Sequence, residues 1–416
     1  MAKISRRRGL VATALTGVLA VGLAACGGDD GDGDSGGGDG GEGPIRIGTS
    51  LPLTGEFSQP GQAAEQGYEV WREMINAEGG LLGREVELVV KDDASNQNTI
   101  VADYNALISQ EEVDLLLGTF SSLLNLPASA VAERNQMLYV EPAGGSPEMF
   151  SRGFKYLFFT QQATADLQGK LFAEYLVGLP EGERPETAAY PTIDDPFATP
   201  AVEGMREIME AGGIETVYTE TYAIDTKNFD SIVTSMKAAD PDVVVHGAVF
   251  EDGVGLVRAM LKADFQPQWL YQTTAPSLGE QYAEAIGPEN TEGILFGISH
   301  APSANTPGNE EFVAKYEEMF GGEPPEDAAD AFASGQVLAA AVEAVGDVED
   351  QTAMADWLRE NSVETILGDL SWNEDGSPTG EFLIGQWQGD TVEFVLPEDI
   401  ATTDEFVQGW KPGGSG

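Results

Sequence analysis

The sequence predicts an α/β protein with two Rossmann-like lobes, each built on a parallel sheet. Short apolar runs alternate with helical patterns from Pro44 onward, the alternation pauses and resumes after Phe159, and loops rich in small residues follow several apolar runs. Such alternation is typical of βαβ units, whose helices cover both faces of a parallel sheet. Each of the two series is long enough for one domain, so two lobes are expected.

The first series supplies the elements of one lobe. Apolar residues recur at helical spacing between the apolar runs, and Gly79 follows the first helix, as glycine commonly does at helix C-termini. The predicted strands are Ile45–Leu51, Glu85–Lys91, Asp114–Thr119 and Met137–Glu141, and the alternation resumes after Tyr156–Phe159. The predicted helices are Gln62–Ala77, Thr99–Gln110 and Pro127–Asn135.

The second series follows the same rhythm and ends differently. Its predicted strands are Thr187–Ile193, Glu215–Tyr222, Asp242–Val249, Gln268–Gln272 and Gly293–Ile298, and its predicted helices are Leu167–Leu176, Thr199–Ala211, Phe229–Ala239 and Gly253–Ala263. Three helices then follow without intervening strands, at Glu310–Phe320, Ala328–Val345 and Thr352–Glu360. Glu381–Trp387 and Thr391–Val395 flank Gly389-Asp390, which predicts an antiparallel hairpin.

The N-terminal segment predicts export and a lipid anchor. Lys3 to Arg8 form a basic stretch, residues 9–25 are small and apolar, and Leu23-Ala24-Ala25-Cys26 resembles a bacterial lipobox. Residues 1–25 are therefore expected to be a lipoprotein signal peptide, with the lipid on Cys26. An ordinary signal peptide or an anchor helix with an incidental cysteine is the alternative. Residues 26–44 are expected to be a Gly/Asp-rich tether, and they lack the glutamate that closes a calcium-binding loop.

Composition and motifs exclude several functional classes. The chain carries 70 acidic and 21 basic residues, a net charge of −49, which repels nucleic-acid phosphates. Solubility or adaptation to salt explains this acidity as readily as an acidic partner surface does, and acidic pairs after strands, such as Asp194-Asp195, are expected to be chance pairs. The single cysteine excludes an intramolecular disulfide and a Cys-based zinc site. Common catalytic and nucleotide-binding motifs are absent, so no cofactor, metal or enzyme activity is expected.

Loops rich in small and hydroxylic residues follow three strands of the first series. They are Pro52–Gly55, Gly118–Ser122 and Pro142–Ser146. Ligands of open α/β sheets bind at the carboxyl ends of the strands, where N–H groups and hydroxyls suit a carboxylate or another acceptor. Ordinary turn chemistry is the alternative, because such loops favour these residues in any case.

An ordered set of segments resembles the branched-chain amino-acid (leucine/isoleucine/valine) binding protein family. The similarity covers about residues 45 to 390, and each segment alone is weak. The segments are Ile45–Gly55, Ile75–Gly83, Val89–Asp93, Gly118–Ser122, Pro127–Ser129, Pro142-Ala143, Pro147-Glu148, Leu367-Gly368, Ser371–Gly376 and Phe382–Trp387. The resemblance implies a type I periplasmic binding protein, in which three crossovers join the two lobes. It implies a receptor that closes on its ligand and delivers it to the permease and ATPase subunits of an ABC importer. Together with the N-terminal segment, this predicts a monomer outside the cytoplasm that is lipid-anchored to the cell membrane.

The resemblance also implies lobe boundaries and ligand-binding residues. One lobe is expected to comprise residues 45–160 and 298–370, and the other residues 161–297 and 371–412. Ser122 matches the serine that holds a ligand carboxylate, with little role expected in folding, and Ala143 matches the alanine whose carbonyl contacts an ammonium group. The implied ligand-binding residues are Ser121, Ser122, Ala143, Gly144, Gly145, Phe197, Phe250 or its neighbour Val249, and Thr273 or Thr274.

When the family's ligand-binding residues are matched to this sequence, the part of the site that binds a cation is incomplete. The family's ammonium-binding glutamate falls near Thr273, and its threonine falls at Gly145. A buried ammonium without a carboxylate is costly, so a carboxylate, an amide or an aromatic acid is expected rather than a branched-chain amino acid. Glu141 and Glu251 are the expected substitutes if an ammonium is bound.

Two other functional classes remain open at this point. The first is a ligand-sensing lipoprotein that signals through a partner. The second is an esterase or amidase using Ser121 or Ser122, which is disfavoured because neither histidine has a place near these serines. His246 is expected to be a buried structural histidine, and His300 is expected in a loop.

Overall fold

The computed structural model describes residues 43–398, 401–403 and 406–413. The predicted signal peptide, most of the predicted tether and Cys26 lie outside the described residues. The fold class predicted from the sequence is confirmed, because the strands form two large and mainly parallel sheets with helices around them.

The first sheet is wholly parallel and has the strand order β2-β1-β3-β4-β5. Its central strands are short apolar runs that are buried on both faces, as parallel strands covered by helices commonly are. The strands are β1 Ile45–Leu51, β2 Val86–Asp92, β3 Leu115–Leu117, β4 Tyr139–Glu141 and β5 Leu157–Phe159. The helices between them are α1 Ser58–Ala77, α2 Gln97–Ser109, α3 Ser122–Asn135 and α4 Pro147–Phe150.

The second sheet has the order β14-β13-β10-β9-β8-β6-β7. Five strands are parallel, and the predicted hairpin of β13 and β14 is confirmed as an antiparallel edge. The strands are β6 Thr187–Ile193, β7 Glu215–Tyr222, β8 Val243–His246, β9 Trp269–Gln272, β10 Leu295–Ile298, β13 Leu383–Gln388 and β14 Thr391–Leu396. The helices are α5 Lys170–Gly178, α6 Ala198–Ala211, α7 Asp230–Ala239, α8 Phe250–Lys262 and α9 Glu280–Ile286, with 3₁₀ turns at Ala165–Leu167, Ala275–Leu278 and Pro288–Asn290.

After β10 the chain returns to the first sheet. Helices α10 Asn309–Phe320, α11 Glu326–Val345 and α12 Gln351–Glu360 pack on its apolar face, and a small antiparallel pair, β11 Val363–Thr365 and β12 Gly368–Leu370, follows. The chain thus passes between the sheets after β5, after β10 and before β13. On this path we propose that residues 45–160 and 298–370 form one lobe, and residues 161–297 and 371–412 the other.

Helix α11 is the central helix of this return. Among the described residues it is the one helix long and apolar enough to cross a membrane by length and composition, yet 72% of its most apolar window is buried inside the fold. Buried core helices of soluble proteins meet the same criteria of length and composition. Its role in this fold is to cover the first sheet and to present its first residues near the strand ends of both sheets.

Several predicted helix starts are wrong, among them those of α1 and α11, which begin at Ser58 and Glu326 rather than at Gln62 and Ala328. The errors for α3 and α8 also affect the site. Helix α3 begins at Ser122 rather than Pro127, because the Leu123 carbonyl, which loses its helical partner to the proline, accepts a bond from Gln97 Nε2 at 3.0 Å. Helix α8 begins at Phe250 rather than Gly253. There the Asp252 carboxylate accepts the N–H of Val249 at 3.0 Å and ends the preceding extended segment early.

Candidate ligand-binding site

A cavity lies where the carboxyl ends of strands from both sheets face each other. Its empty space, including the open mouth, amounts to about 510 Å³. Its lining residues are Phe120, Ser121, Ser122, Ala143, Gln161, Gln168, Asp195, Phe197, Ala198, Ala248, Val249, Thr274, Ser277, Glu326 and Asp327. The first sheet, the second sheet and helix α11 all contribute to this wall.

Two serines at the start of α3 line the cavity, as the sequence predicts. Ser121 has φ 139° and ψ 169°, a backbone conformation that is rare for any residue but glycine, and such strain is characteristic of functional sites. Its buried Oγ has no hydrogen-bond partner among the described residues. Ser122 Oγ accepts the N–H of Ser146 at 3.0 Å and keeps its own proton for another acceptor.

The loop after β4 brings Ala143 into the wall, whereas its two glycines lie behind the wall. A Cβ on Gly144 would come within 2.5 Å of the Glu141 carboxylate, and one on Gly145 within 2.9 Å of the Phe197 ring. Glycine at 145 therefore makes room for Phe197, which lines the cavity from the second sheet. This close packing explains why a threonine, expected here from the resemblance, does not fit.

On the second sheet, Val249 and Thr274 line the cavity in place of Phe250 and Thr273. The Thr273 hydroxyl already donates to the Ala248 carbonyl at 2.6 Å and accepts the Ala248 N–H at 2.8 Å. Phe250 is the first residue of α8 and packs against the large hydrophobic core. Neither side chain is therefore turned to the cavity.

Neither expected substitute carboxylate reaches the cavity. Glu141 is fully buried and accepts the N–H of Ala143 at 2.9 Å and a bond from Asn125 Nδ2 at 3.1 Å. Burial raises the pKa of Glu141 to about 8. Its carboxyl group thus supports the loop that carries Ala143, and Glu251 lies exposed on the outer side of α8.

The cavity nevertheless contains three carboxyl groups that sequence reasoning missed. Asp195 follows β6, and Glu326 and Asp327 occupy the first turn of α11. These carboxyl groups, rather than Glu141 or Glu251, are the acidic groups that line the cavity. Asp195 was visible as an acidic pair after a strand, but Glu326 and Asp327 follow no strand, and no local signal places them beside Ser121.

The three carboxyl groups are largely buried, and not all of their oxygen atoms have a hydrogen-bond partner among the described residues. Asp195 Oδ1 accepts the N–H groups of Phe197 at 2.8 Å and Ala198 at 3.1 Å, while Oδ2 has no partner. Burial raises the pKa of Asp195 and that of Glu326. Burial and the neighbouring Glu326 raise the pKa of Asp327 well above its usual range. No lysine, arginine or histidine belongs to the described wall.

Both histidines are structural, as expected for His246. Its Nε2 lies 2.6 Å from the Tyr222 hydroxyl and its Nδ1 lies 2.8 Å from Gln272 Nε2, and burial lowers its pKa to about 3. His300 lies in a loop and bonds to Asn309 through Nε2 at 2.7 Å. Neither lines the cavity beside the serines, and among the described residues no group of three or more potential ligands is placed to hold a metal ion.

Substitutions of the two serines are expected to affect different properties, ligand binding in one case and folding stability in the other. Ser122→Ala should lower the free energy of unfolding by about 1–3 kcal/mol, because the buried N–H of Ser146 loses its acceptor, which corrects the expectation that Ser122 has little role in folding. Ser121→Ala, the matched variant, should leave stability nearly unchanged and weaken binding of a charged acceptor about 10- to 150-fold. Denaturant unfolding and calorimetry measure the two effects. Equal unfolding free energies for the two variants would contradict the assigned contacts.

Comparisons with known proteins match this architecture. The family model described as periplasmic binding protein matches residues 44–391. The chain is 26% identical over 354 residues to an amino acid binding protein of Pseudomonas aeruginosa, covering 85% of this chain and 92% of that protein. It is 24% identical over 351 residues to the Leu/Ile/Val-binding protein of Escherichia coli K12, covering 83% and 91%. A solute-binding protein of an ABC transporter from R. palustris, solved with benzoate, has a TM-score of 0.76 at 21% identity and covers 88% of this chain and 99% of that one.

Proposed function

The chain belongs to the periplasmic binding protein family, and we propose that it is the solute-binding lipoprotein of an ABC importer, which captures an amino acid or a related small carboxylate or amide. The resemblance to branched-chain amino-acid binding proteins is confirmed. The family implies a location outside the cytoplasm and a substrate-binding role in transport. Lipid attachment through Cys26, a monomeric state and the absence of catalysis belong to the proposal.

One observation carries the proposal. The cavity takes its wall from the strand ends of both sheets, so a ligand would contact both lobes at once. A receptor of this kind reports occupancy by closing, since the ligand stabilises the arrangement in which both halves of its site meet. The relatives named above bind amino acids or benzoate, and the Ser121, Ser122 and Ala143 wall suits the acceptor group that such compounds share.

Binding is the first test. A ligand held at 100 times its dissociation constant stabilises the folded state by about 2.7 kcal/mol, so a thermal-shift screen of amino acids, amides, amines and aromatic acids should show it. The same compounds incubated with the protein should be recovered unchanged. Turnover of any of them would contradict a pure binding role, and so would the absence of any shift.

Closure is the second expected result. In the structure the lobes already touch, through the ion pair of Lys227 with Glu56 and through the Ala165 N–H, which donates to the Gly145 carbonyl at 2.7 Å. The exposed ion pair alone contributes little, so ligand contacts should dominate closure. Small-angle scattering should show a smaller radius of gyration with a saturating ligand than without it. An identical profile at saturation would contradict closure.

A further inference from the structure

We propose that the ligand is a small organic cation with a net positive charge, whose protonated nitrogen is held by Glu326 and Asp327 of α11 and by Asp195 across the cleft. The proposal rests on the proposed binding function and names its ligand class. It follows from the acidic residues of the wall, from unpartnered acceptor atoms, and from two carboxyl groups that share one hydroxyl beside the cavity.

Charge in the wall is the first observation. Three carboxyl groups line the cavity, and no basic side chain belongs to the described wall. Burial raises the pKa of all three groups, so a positive charge beside them is what favours their ionised forms. A zwitterion also brings a carboxylate, which opposes that ionisation. Because an ionised group in a poorly solvated site is costly unless paired, a ligand with excess positive charge matches this wall better.

Unpartnered buried acceptors are the second, independent observation. Asp195 and Gln168 are each 3% exposed and line the cavity, and Asp195 Oδ2 and Gln168 Oε1 have no hydrogen-bond partner among the described residues. Gln168 Nε2 donates to the Thr273 carbonyl at 3.1 Å, which leaves Oε1 as its free end. An amide oxygen and a carboxylate oxygen both require donors, and a protonated amine supplies two or three.

Two carboxyl groups share one hydroxyl next to this site. Ser299 Oγ lies 2.7 Å from Glu326 Oε1 and 2.6 Å from Asp330 Oδ1, and Glu326 Oε1 also accepts the Ser299 N–H. Because the hydroxyl has a single proton and Oε1 is an acceptor, a protonated Asp330 would satisfy the second contact. Burial raises the pKa of both carboxyl groups. A cation at Glu326 favours the ionised form, so its binding should release this proton to solvent.

The other described groups that face Glu326 and Asp330 do not oppose the release of a proton when a cation binds. Asp327 and Asp195 are acidic, while Gln161, which donates to Asp330 at 2.5 Å, and Ser277 are neutral. The aromatic rings of Phe120 and Phe197 complete the wall with apolar surface and π faces. Apolar contacts and cation–π attraction favour an organic cation over a metal ion.

Matched probes test the proposal on the lipoprotein freed of its signal peptide. Thermal shift and calorimetry are run with L-lysine, putrescine and agmatine against norleucine, which is lysine without its side-chain ammonium, and against L-leucine, benzoate and MgCl₂. We expect binding by at least one organic cation, and at least tenfold weaker binding of norleucine than of lysine if lysine binds. Calorimetry in two buffers of different ionisation enthalpy should show proton release, and affinity should fall as pH is lowered.

Variants of α11 locate the cation. Glu326→Gln and Asp327→Asn should each weaken the bound cation about 100-fold, as expected for loss of one partner of a buried pair. Glu343→Gln removes one charge from the exposed side of the same helix and should leave affinity unchanged. Two site variants are used because Glu326 also accepts from Ser299, so Asp327→Asn decides the matter if Glu326→Gln folds poorly. Unchanged cation affinity in Asp327→Asn overturns the proposal.

The outcomes separate this inference from the proposed function. Binding of leucine, norleucine or benzoate without binding of any cation overturns the cationic ligand and leaves a solute receptor. Binding of Mg²⁺ alone, or proton uptake on binding, also overturns it. If no compound in the panel shifts the melting temperature, both proposals fail.

Discussion

Cys26→Ser is expected to release the protein from the membrane or to leave its precursor uncleaved. Cys26 is the only cysteine in the chain, and it ends the segment Leu23-Ala24-Ala25-Cys26 after a basic stretch and an apolar run. A serine hydroxyl cannot take the thioether-linked diacylglyceryl group. Each buried methylene contributes about 0.8 kcal/mol, and stable anchoring requires two chains or an equivalent second signal, so losing the lipid should remove nearly all attachment.

Cell fractionation and labelling with a radioactive fatty acid measure this result. Gly31→Ser is the matched control, because it adds the same side chain within the tether and keeps the cysteine. It should remain lipid-labelled and in the membrane fraction. A Cys26→Ser protein that is processed normally and stays with the membrane would show that Cys26 is not the anchor.

Gly67→Ala is expected to lower the free energy of unfolding by about 3 kcal/mol, at the upper end for overpacking. Helices α1 and α11 cross closely at Gly67, where an added Cβ would lie 2.0 Å from the Ala328 carbonyl oxygen. That atom belongs to the backbone of a buried helix, so no rotation of a side chain relieves the clash. Ala328 follows Asp327 directly, so the displaced turn should also weaken binding of the ligand.

The control for Gly67→Ala is Gly178→Ala at the end of α5. An added Cβ there has no atom within 4 Å and the backbone has no positive φ, so this variant should be neutral or gain about 0.4–1 kcal/mol from the unfolded state. Denaturant unfolding compares the two variants. If both change stability equally, the close approach of α1 and α11 is not what requires glycine at 67.

Local sequence patterns were sufficient to predict the bounds of a strand or helix when residues within or next to that element set its ends. The strands Thr187–Ile193 and Glu215–Tyr222 have the predicted bounds, since β-branched and aromatic residues recur along both, and Asp194 and Gly213 mark a boundary of each. Helix starts were less predictable. A proline is a common first residue of a helix, and only the distant Gln97 side chain, which bonds the carbonyl freed by Pro127, allows α3 to begin at Ser122.

Sequence reasoning likewise located some residues of the candidate site and not others. Ser121, Ser122 and Ala143 follow strands of one parallel sheet, so their residue types and the strand order indicated their place at its edge. Val249 and Thr274 line the cavity in place of Phe250 and Thr273, because Thr273 is fully buried and Phe250 packs against the core. Sequence spacing does not reveal which of two adjacent side chains is buried by the rest of the fold.

The sequence by itself determined the α/β class, the serine-rich wall and the acidic character of the chain, because strand–helix periodicity, turn residues and charge are properties of short segments. Tertiary structure alone decided that Glu326 and Asp327 face Ser121. These carboxyl groups lie far from the serine in the chain, and they reach the cavity because α11 packs against Gly67 of α1 on the first sheet. That packing depends on long-range burial of apolar surface, which no local pattern specifies.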